Sequence, residues 1–412
     1  MSGLIEITLG IMTAVGGFVD ISELVFAAQA GSRFGFALIW VFAFSTIGIA
    51  CFGEMSGRVA TIAKQPVFNL MRQRLGLRIG LPTLIVSSVV NTITCAAEIG
   101  GTALVLRLLT GWPYAALAVL STLFLMAVIW LLPFKWIERS FGLLGLVMIS
   151  FAVATASIHP DWGDVASGLI PQIPKSLPVK DLVVFAYFVV AIISAVMFPY
   201  ETYFYSSGGI EENWKPKDLK VNLLTTTVGF GLGSLLAIAI LINSAVLFRT
   251  AHIDPQMPGT VALQVAIPFG ATGLLLALFG MLFAISGAAV ETGLSTAYSV
   301  AQFFGWEWGR YKRPHEAPRF TIAWIITFLV ALAIVLTGIE PLELVEWSIV
   351  FSIVVLPLTY LPLLLIANDR KYMGEHINGR LSNGIGWTFY GMLVIAAIAA
   401  LPLYFITSGG QA

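Results

Sequence analysis

The chain alternates between long apolar runs and short polar connections. A helix crosses the bilayer core with about 20 mostly apolar residues. Eleven runs meet that length: 4–31, 36–61, 80–110, 113–133, 140–158, 180–208, 220–248, 265–300, 319–338, 343–367 and 385–408. The connections leave no room for a soluble domain, so the pattern predicts one all-α transmembrane domain over residues 1–412. Two runs are interrupted. The first reads GGFVDISEL from Gly16 to Leu24, with two glycines ahead of an aspartate and a glutamate three apart. The sixth reads AVMFPYETY from Ala195 to Tyr203, with a mid-span proline and a glutamate just after it. Breaks in corresponding helices are the sequence mark of inverted repeats around a midplane site. They predict two five-helix repeats, about 1–158 and 175–367, with an additional helix at 385–408. Unwound backbone is tolerated at that depth where it lines a cavity.

Composition supports this reading. The chain is 58% hydrophobic and only 11% charged, with mean hydropathy +0.91. A soluble domain carries about 25% charged residues, so most of this surface must be solvated by lipid. Lys and Arg concentrate on the cytoplasmic side of membrane proteins. With the N-terminus inside, seventeen of them fall in cytoplasmic loops and helix ends and five outside. The opening Met-Ser-Gly-Leu-Ile-Glu has no basic region and no small-residue cleavage site, so no signal peptide is read and the first run belongs to the mature chain.

Charge distribution and reactive residues narrow the chemistry. Cys51 and Cys95 make neither a disulfide framework nor a zinc pattern. The four histidines lie near segment ends or in connections, which argues against a mid-membrane histidine relay. No P-loop, Ser/His/Asp set or HExxH is present, so an enzyme is not expected and no cofactor is implied. The basic residues are explained by topology rather than nucleic-acid binding, and no obligatory protein partner is implied. The acids are the unusual feature. Asp20 and Glu23 lie in the first break, Glu201 in the second, and Glu98 mid-span in TCAAEIGG of the third run, with no Lys or Arg at that depth. A charge at the bilayer centre costs about 2.5–3.5 kcal/mol on insertion scales. A set of oxygen ligands with net negative charge suits a hard cation and repels an anion.

Each acid also has a structural reading. Asp20 could cap the half-helix that follows it, since helix N-termini favour acid. Glu23 could face an aqueous vestibule, Glu98 could pair helices, and Glu201 could line the outlet or ligate through water. Glu291, in SGAAVETG, is either a vestibule acid or a buried hydrogen-bonded group. Phe198 and Tyr200 read as packing residues whose bulk crowds a hydrated ion. Met197 would return a thioether to the site if the break were shifted by one residue. Glu54 and Arg58 read as an i,i+4 ion pair, and Asn222, Thr226 and Asn243 as hydrogen-bonding groups between helices.

At these residues the sequence resembles the NRAMP family of divalent metal transporters. The run DISELVFAAQAGSRFGFALIW, 20–40, is similar to the family's first-break signature, with Asp20 on its aspartate ligand and Glu23 on its asparagine. TCAAEIGGTALVL resembles the family's third-helix stretch: Glu98 matches its glutamate, and Cys95 stands where the family has aspartate. FKWIERSFGLLG and LPLTYLPLLLIAND fit as well, so the likeness covers nearly the whole chain. It implies the LeuT-type fold and alternating access, with ligands at Asp20 and Glu23, backbone carbonyls at Gly17 and Ala195, and Glu201, Glu98 and Tyr200 at or along the path. The departures matter most. The family's Met-Pro-His reads Phe198, Pro199, Tyr200 here, so the thioether and the histidine are both replaced. A thioether favours transition metals over Mg²⁺ and Ca²⁺. The pattern therefore looks like the NRAMP-related magnesium transporter branch. The expectation is Mg²⁺ uptake without strong proton coupling, in the plasma membrane of a prokaryote. The alternatives are a proton-coupled importer of Mn²⁺ or another divalent transition metal, and an organic-cation or amino-acid carrier of the same fold.

Overall fold

The computed structural model describes residues 19–132, 134–173 and 178–411. The first described helix, α1 (Ile21–Phe34), is the second half of the first apolar run. The first half, with Gly17, lies outside the described residues. There follow α2 (Ile39–Ala63), α3 (Val67–Thr110), α4 (Tyr114–Leu131), α5 (Phe134–Gly145), α6 (Ile149–Ser157) and the short α7 (Trp162–Ser167). The second half holds α8 (Val179–Val196), α9 (Pro199–Glu211), α10 (Leu219–Leu224), α11 (Phe230–Leu247), α12 (Pro258–Phe304), α13 (Pro318–Leu336), α14 (Pro341–Ala367), α15 (Arg370–Met373) and α16 (Arg380–Thr407). Ten helical stretches among the described residues are long and apolar enough to cross a membrane.

The departures from the hydropathy boundaries have local causes. The third run begins at Val67 rather than 80, because a polar turn bearing Arg72 and Arg74 continues into the span through a bend at Gly76, whose φ is +70°. The eighth run begins at Pro258 rather than 265 and bends at Gly270, φ +60°. At each bend glycine takes up a positive φ that a side chain would resist. The fifth run is two helices, α5 and α6, joined by a 3₁₀ turn at Leu146–Met148. The seventh passes from α10 to α11 through a π turn at Thr225–Gly229. Pro199, Pro258, Pro318 and Pro341 each open a helix at its first position, where a missing N–H costs nothing.

The broadest packing joins α3 to α12, with α1 against α11 and α3 against α14 also extensive. Leu131, Ile398 and Phe405 point outward. Association inside lipid depends on close approach and interhelical hydrogen bonds, and both are present. Gly31 of α1 lies so close to α11 that a Cβ there would stand 2.1 Å from the Leu241 carbonyl oxygen. Asn243 Nδ2 donates to the Phe151 carbonyl at 3.0 Å, and Asn222 Nδ2 to the Glu54 carbonyl at 2.9 Å. The Arg58–Glu54 pair forms at 2.8 Å, and Arg58 also donates to Asn378 Oδ1. The Glu54–Arg58 pair, Asn222 and Asn243 are thus as the sequence led one to expect, whereas Thr226 donates to the Asn222 and Leu223 carbonyls of its own segment at 2.9 and 3.2 Å. Because the neighbour at Gly31 is backbone and cannot step aside, Gly31→Ala is expected to destabilise by about 1–3 kcal/mol, the usual overpacking range, seen as a lower melting temperature in detergent.

Candidate cation site

The described parts of the two interrupted helices put backbone and carboxylate oxygens at the breaks. Helix α8 stops at Val196; Met197 leaves helical geometry at φ −119°, ψ 46°, and Phe198 is extended. The N–H four residues after Ala195 would belong to Pro199, which has none, so the Ala195 carbonyl lacks its usual helical donor. Helix α1 starts where Asp20 is extended and its Oδ1 accepts the Glu23 N–H at 2.8 Å. Asp20 is therefore a cap through one oxygen. Its Oδ2 is buried and has no hydrogen-bond partner.

The remaining acids show the same incomplete pairing. Asp20, Glu23 and Glu98 are 1%, 0% and 0% exposed, and neither oxygen of Glu23 or Glu98 has a partner. Glu98 of α3 faces the backbone amide of Ile21, at the start of α1. Glu201 is half-buried, with Oε2 unpartnered. The Tyr200 ring is buried beside Phe198, centroids 5.5 Å apart, and its hydroxyl also lacks a partner. That hydroxyl is within electrostatic reach of Glu201, Asp20, Glu291 and Glu98. Among the described residues no three of His, Cys, Asp and Glu converge closely enough to hold a metal unaided. The arrangement can instead surround a cation that keeps part of its water shell, with single oxygens from several helices.

The soft donors are directed elsewhere. A Cβ on Gly48 would lie 2.9 Å from the Met197 methyl carbon and 2.7 Å from the Phe389 ring, so the end of Met197 packs between α2 and α16. The Cys95 thiol points to the Ala289 carbonyl of α12 at 3.7 Å. Glu291, left open between two roles by the sequence, is drawn into the electrostatic set with Glu201 and Tyr200. Ser295, one helical turn on, was not singled out from sequence; its Oγ donates to the Tyr200 carbonyl at 3.1 Å. Its i,i+4 spacing from Glu291 was the available signal.

Ion pairs and hydrogen bonds link the helices on either side of this region. On the outer side Arg33 pairs with Asp254 at 2.6 Å and donates to the Gly410 carbonyl, and Ser32 Oγ donates to the Ile253 carbonyl. On the cytoplasmic side Arg310 pairs with Glu211 at 2.9 Å and Glu212 at 2.8 Å, and the Tyr298 hydroxyl donates to Glu211 at 2.9 Å.

Residues 10–405 match the family model described as Natural resistance-associated macrophage protein-like, Nramp. The chain belongs to the Nramp family. Among its relatives is the divalent metal cation transporter MntH 1 of Pseudomonas aeruginosa, 26% identical over 96% of this chain and 91% of that protein. The divalent metal cation transporter MntH of Deinococcus radiodurans is 24% identical over 95% and 88%. Of solved structures, the manganese transporter of Eremococcus coleocola, bound to an aromatic bis-isothiourea substituted compound, aligns at TM-score 0.74 with 20% identity, covering 97% of this chain and 86% of that one. The nucleobase-cation-symport-1 family transporter Mhp1, in a closed conformation with bromovinylhydantoin, aligns at TM-score 0.60 with 15% identity over 97% and 92%. This Nramp chain is thus a multi-pass integral membrane protein with the LeuT-type fold.

The two roles of Asp20 separate by substitution. Asn is as good an N-cap as Asp, whereas Ala loses about 1 kcal/mol. Asp20→Asn is expected to melt near wild type yet lose stabilisation by divalent cation, while Asp20→Ala loses both, read by thermal shift with and without Mn²⁺ or Mg²⁺.

Proposed function

We propose that this Nramp protein imports divalent metal cations across a prokaryotic plasma membrane by alternating access. Asp20 and Glu23 hold the ion, the Ala195 and Gly17 carbonyls complete the ligand set, and Glu201, Glu98 and Tyr200 stand along the path. The observation that carries this reading is the set of buried carboxylate oxygens without partners on α1, α3 and α9, in a chain whose relatives are named divalent metal cation transporters. Buried charge without a partner is strongly disfavoured, and a cation drawn among these groups relieves that cost for several of them together. The two broken helices support an inverted-repeat pair, about 1–158 and 175–367, with α16 added to it.

Two readings of the cargo follow from different observations. The side-chain donors are oxygens, with the Met197 methyl packed away and no histidine in the set, which favours Mg²⁺, an ion that typically keeps several waters. Uptake would then run on the membrane potential; a doubly charged ion crossing 100 mV releases about 4.6 kcal/mol, twice the single-charge figure. The second reading is Mn²⁺ carried with protons; the comparisons favour its metal, because the matched structure is named a manganese transporter and the matched sequences divalent metal cation transporters.

Proteoliposomes holding a divalent-cation dye or a pH dye distinguish the two. Mg²⁺ entry without acidification, lost in Asp20→Ala, is the outcome the all-oxygen site predicts. Mn²⁺ entry accompanied by protons, with Mg²⁺ excluded, would establish the second reading. Failure of both ions to enter would refute divalent cation transport.

A further inference from the structure

At the end of α1 away from Asp20, the short segment that follows α16 joins four other parts of the chain. Phe405 and Ile406 at the end of α16 are exposed, yet Gly409 and Gly410 just beyond are buried. The Gly409 N–H donates to the Tyr404 carbonyl at 3.0 Å and the Gly410 N–H to Thr407 Oγ1 at 3.0 Å, so α16 itself holds the segment in shape. A Cβ on Gly409 would stand 2.2 Å from Glu346 Oε2 of α14, and one on Gly410 would stand 3.0 Å from the Tyr187 ring of α8. Both glycines have positive φ, +69° and +85°, so the seat resists a side chain on two grounds. A ring of polar contacts closes around it. Arg33 of α1 donates to the Gly410 carbonyl and pairs with Asp254 of the α11–α12 connection at 2.6 Å. Gln256 Nε2 donates to Asp254 Oδ2 at 3.2 Å and to Gln411 Oε1 at 2.7 Å, and Gln411 Nε2 donates to Glu346 Oε1 at 3.3 Å. Arg33 also lies over the Phe188 ring of α8, 5.5 Å from its centroid. Tyr187 and Phe188 pack in turn on Phe26 of α1, three residues on from Glu23, with centroids 6.2 and 5.6 Å away.

We propose that residues 408–411 are a clasp on the outer side of the transporter. Seated, they hold the end of α1 to α8, α14 and the α11–α12 connection. Lifted out, they let α1 and α8 separate, and a cation from outside reaches Asp20 and Glu23. This rests on the alternating-access transport proposed above. The contacts suit a device that opens: the side chains of Arg33 and Asp254 are 22% and 37% exposed, and water replaces such a pair at little cost. The segment also bonds to both sides of what must move, one half-helix of the first break on one hand and the α11–α12 connection and α14 on the other.

The test locks the clasp and, separately, unseats it, in a chain carrying Cys51→Ser and Cys95→Ser. Gln256→Cys with Gln411→Cys is bridged by a short bis-maleimide in detergent and then reconstituted for Mn²⁺ and Mg²⁺ uptake. Bridging is expected to lower the uptake rate about tenfold, while the same pair capped by N-ethylmaleimide stays within about twofold of the unlabelled protein. Gly409→Val, which does not fit the seat, is expected to raise the rate at which an impermeant maleimide added outside labels Phe188→Cys by about tenfold, as the open form gains population. An undiminished rate in the bridged protein, an equal loss with N-ethylmaleimide, or a Phe188→Cys labelling rate that Gly409→Val leaves unchanged would each overturn the clasp and leave cation transport standing. A wild type that moves neither ion would remove the transport reading and the clasp together.

Discussion

The cost of keeping carboxylates away from water governs the arrangement of this molecule. An anion in a low-dielectric interior needs a partner charge or several hydrogen bonds, and side chains that lack both are rarely retained. Asp20, Glu23 and Glu98 are buried with oxygens unpaired, and they come from two helices that meet where the first break begins. The break makes this possible. An unbroken helix would use its own N–H groups internally, whereas the buried N-terminus of α1 offers an amide to Asp20 and the positive end of a helix dipole to Asp20 and Glu23. On the proposed function, the charge that this backbone contact leaves uncompensated is what would attract a cation.

The second break repeats the logic in the opposite orientation. Pro199 removes the donor that would have closed on Ala195 and starts α9 with Glu201 in its first turn. Tyr200, the second residue of α9, is buried beside Phe198, and its hydroxyl lies within electrostatic reach of four carboxylates. Phe198 and Tyr200 are bulky and buried here, so a cation bound as proposed would draw on few protein oxygens and keep water. The two half-helices also carry an ion pair at the far end from their acids, Arg33 of α1 with Asp254 and Glu211 of α9 with Arg310. On the proposed function, a rigid tilt of either half-helix would move its ion pair and its acid together, the kind of coupling alternating access requires.

Much of this was legible in the sequence because lipid leaves few options: a spanning segment must satisfy its own backbone, so helices declare themselves by length and apolarity. The breaks at Asp20 and Pro199 and the acids beside them were visible for the same reason, being expensive where they sit. The bends at Gly76 and Gly270 were not, because hydropathy reports burial in lipid and not backbone direction. Nor could a linear pattern settle Asp20 between cap and ligand, which the structure resolves by giving its two oxygens different surroundings. The direction taken by Met197 and the grouping of Glu291 with Tyr200 and Glu201 depend on which helices pack together, information the sequence holds only through tertiary contacts.

The central claim is that the acids at the two breaks hold a divalent cation. Anomalous diffraction at the manganese edge from crystals grown with Mn²⁺ tests it directly. The account predicts a peak within coordination distance of Asp20 and the Ala195 carbonyl, abolished in Asp20→Asn. A peak elsewhere, or one that survives that substitution, would contradict it.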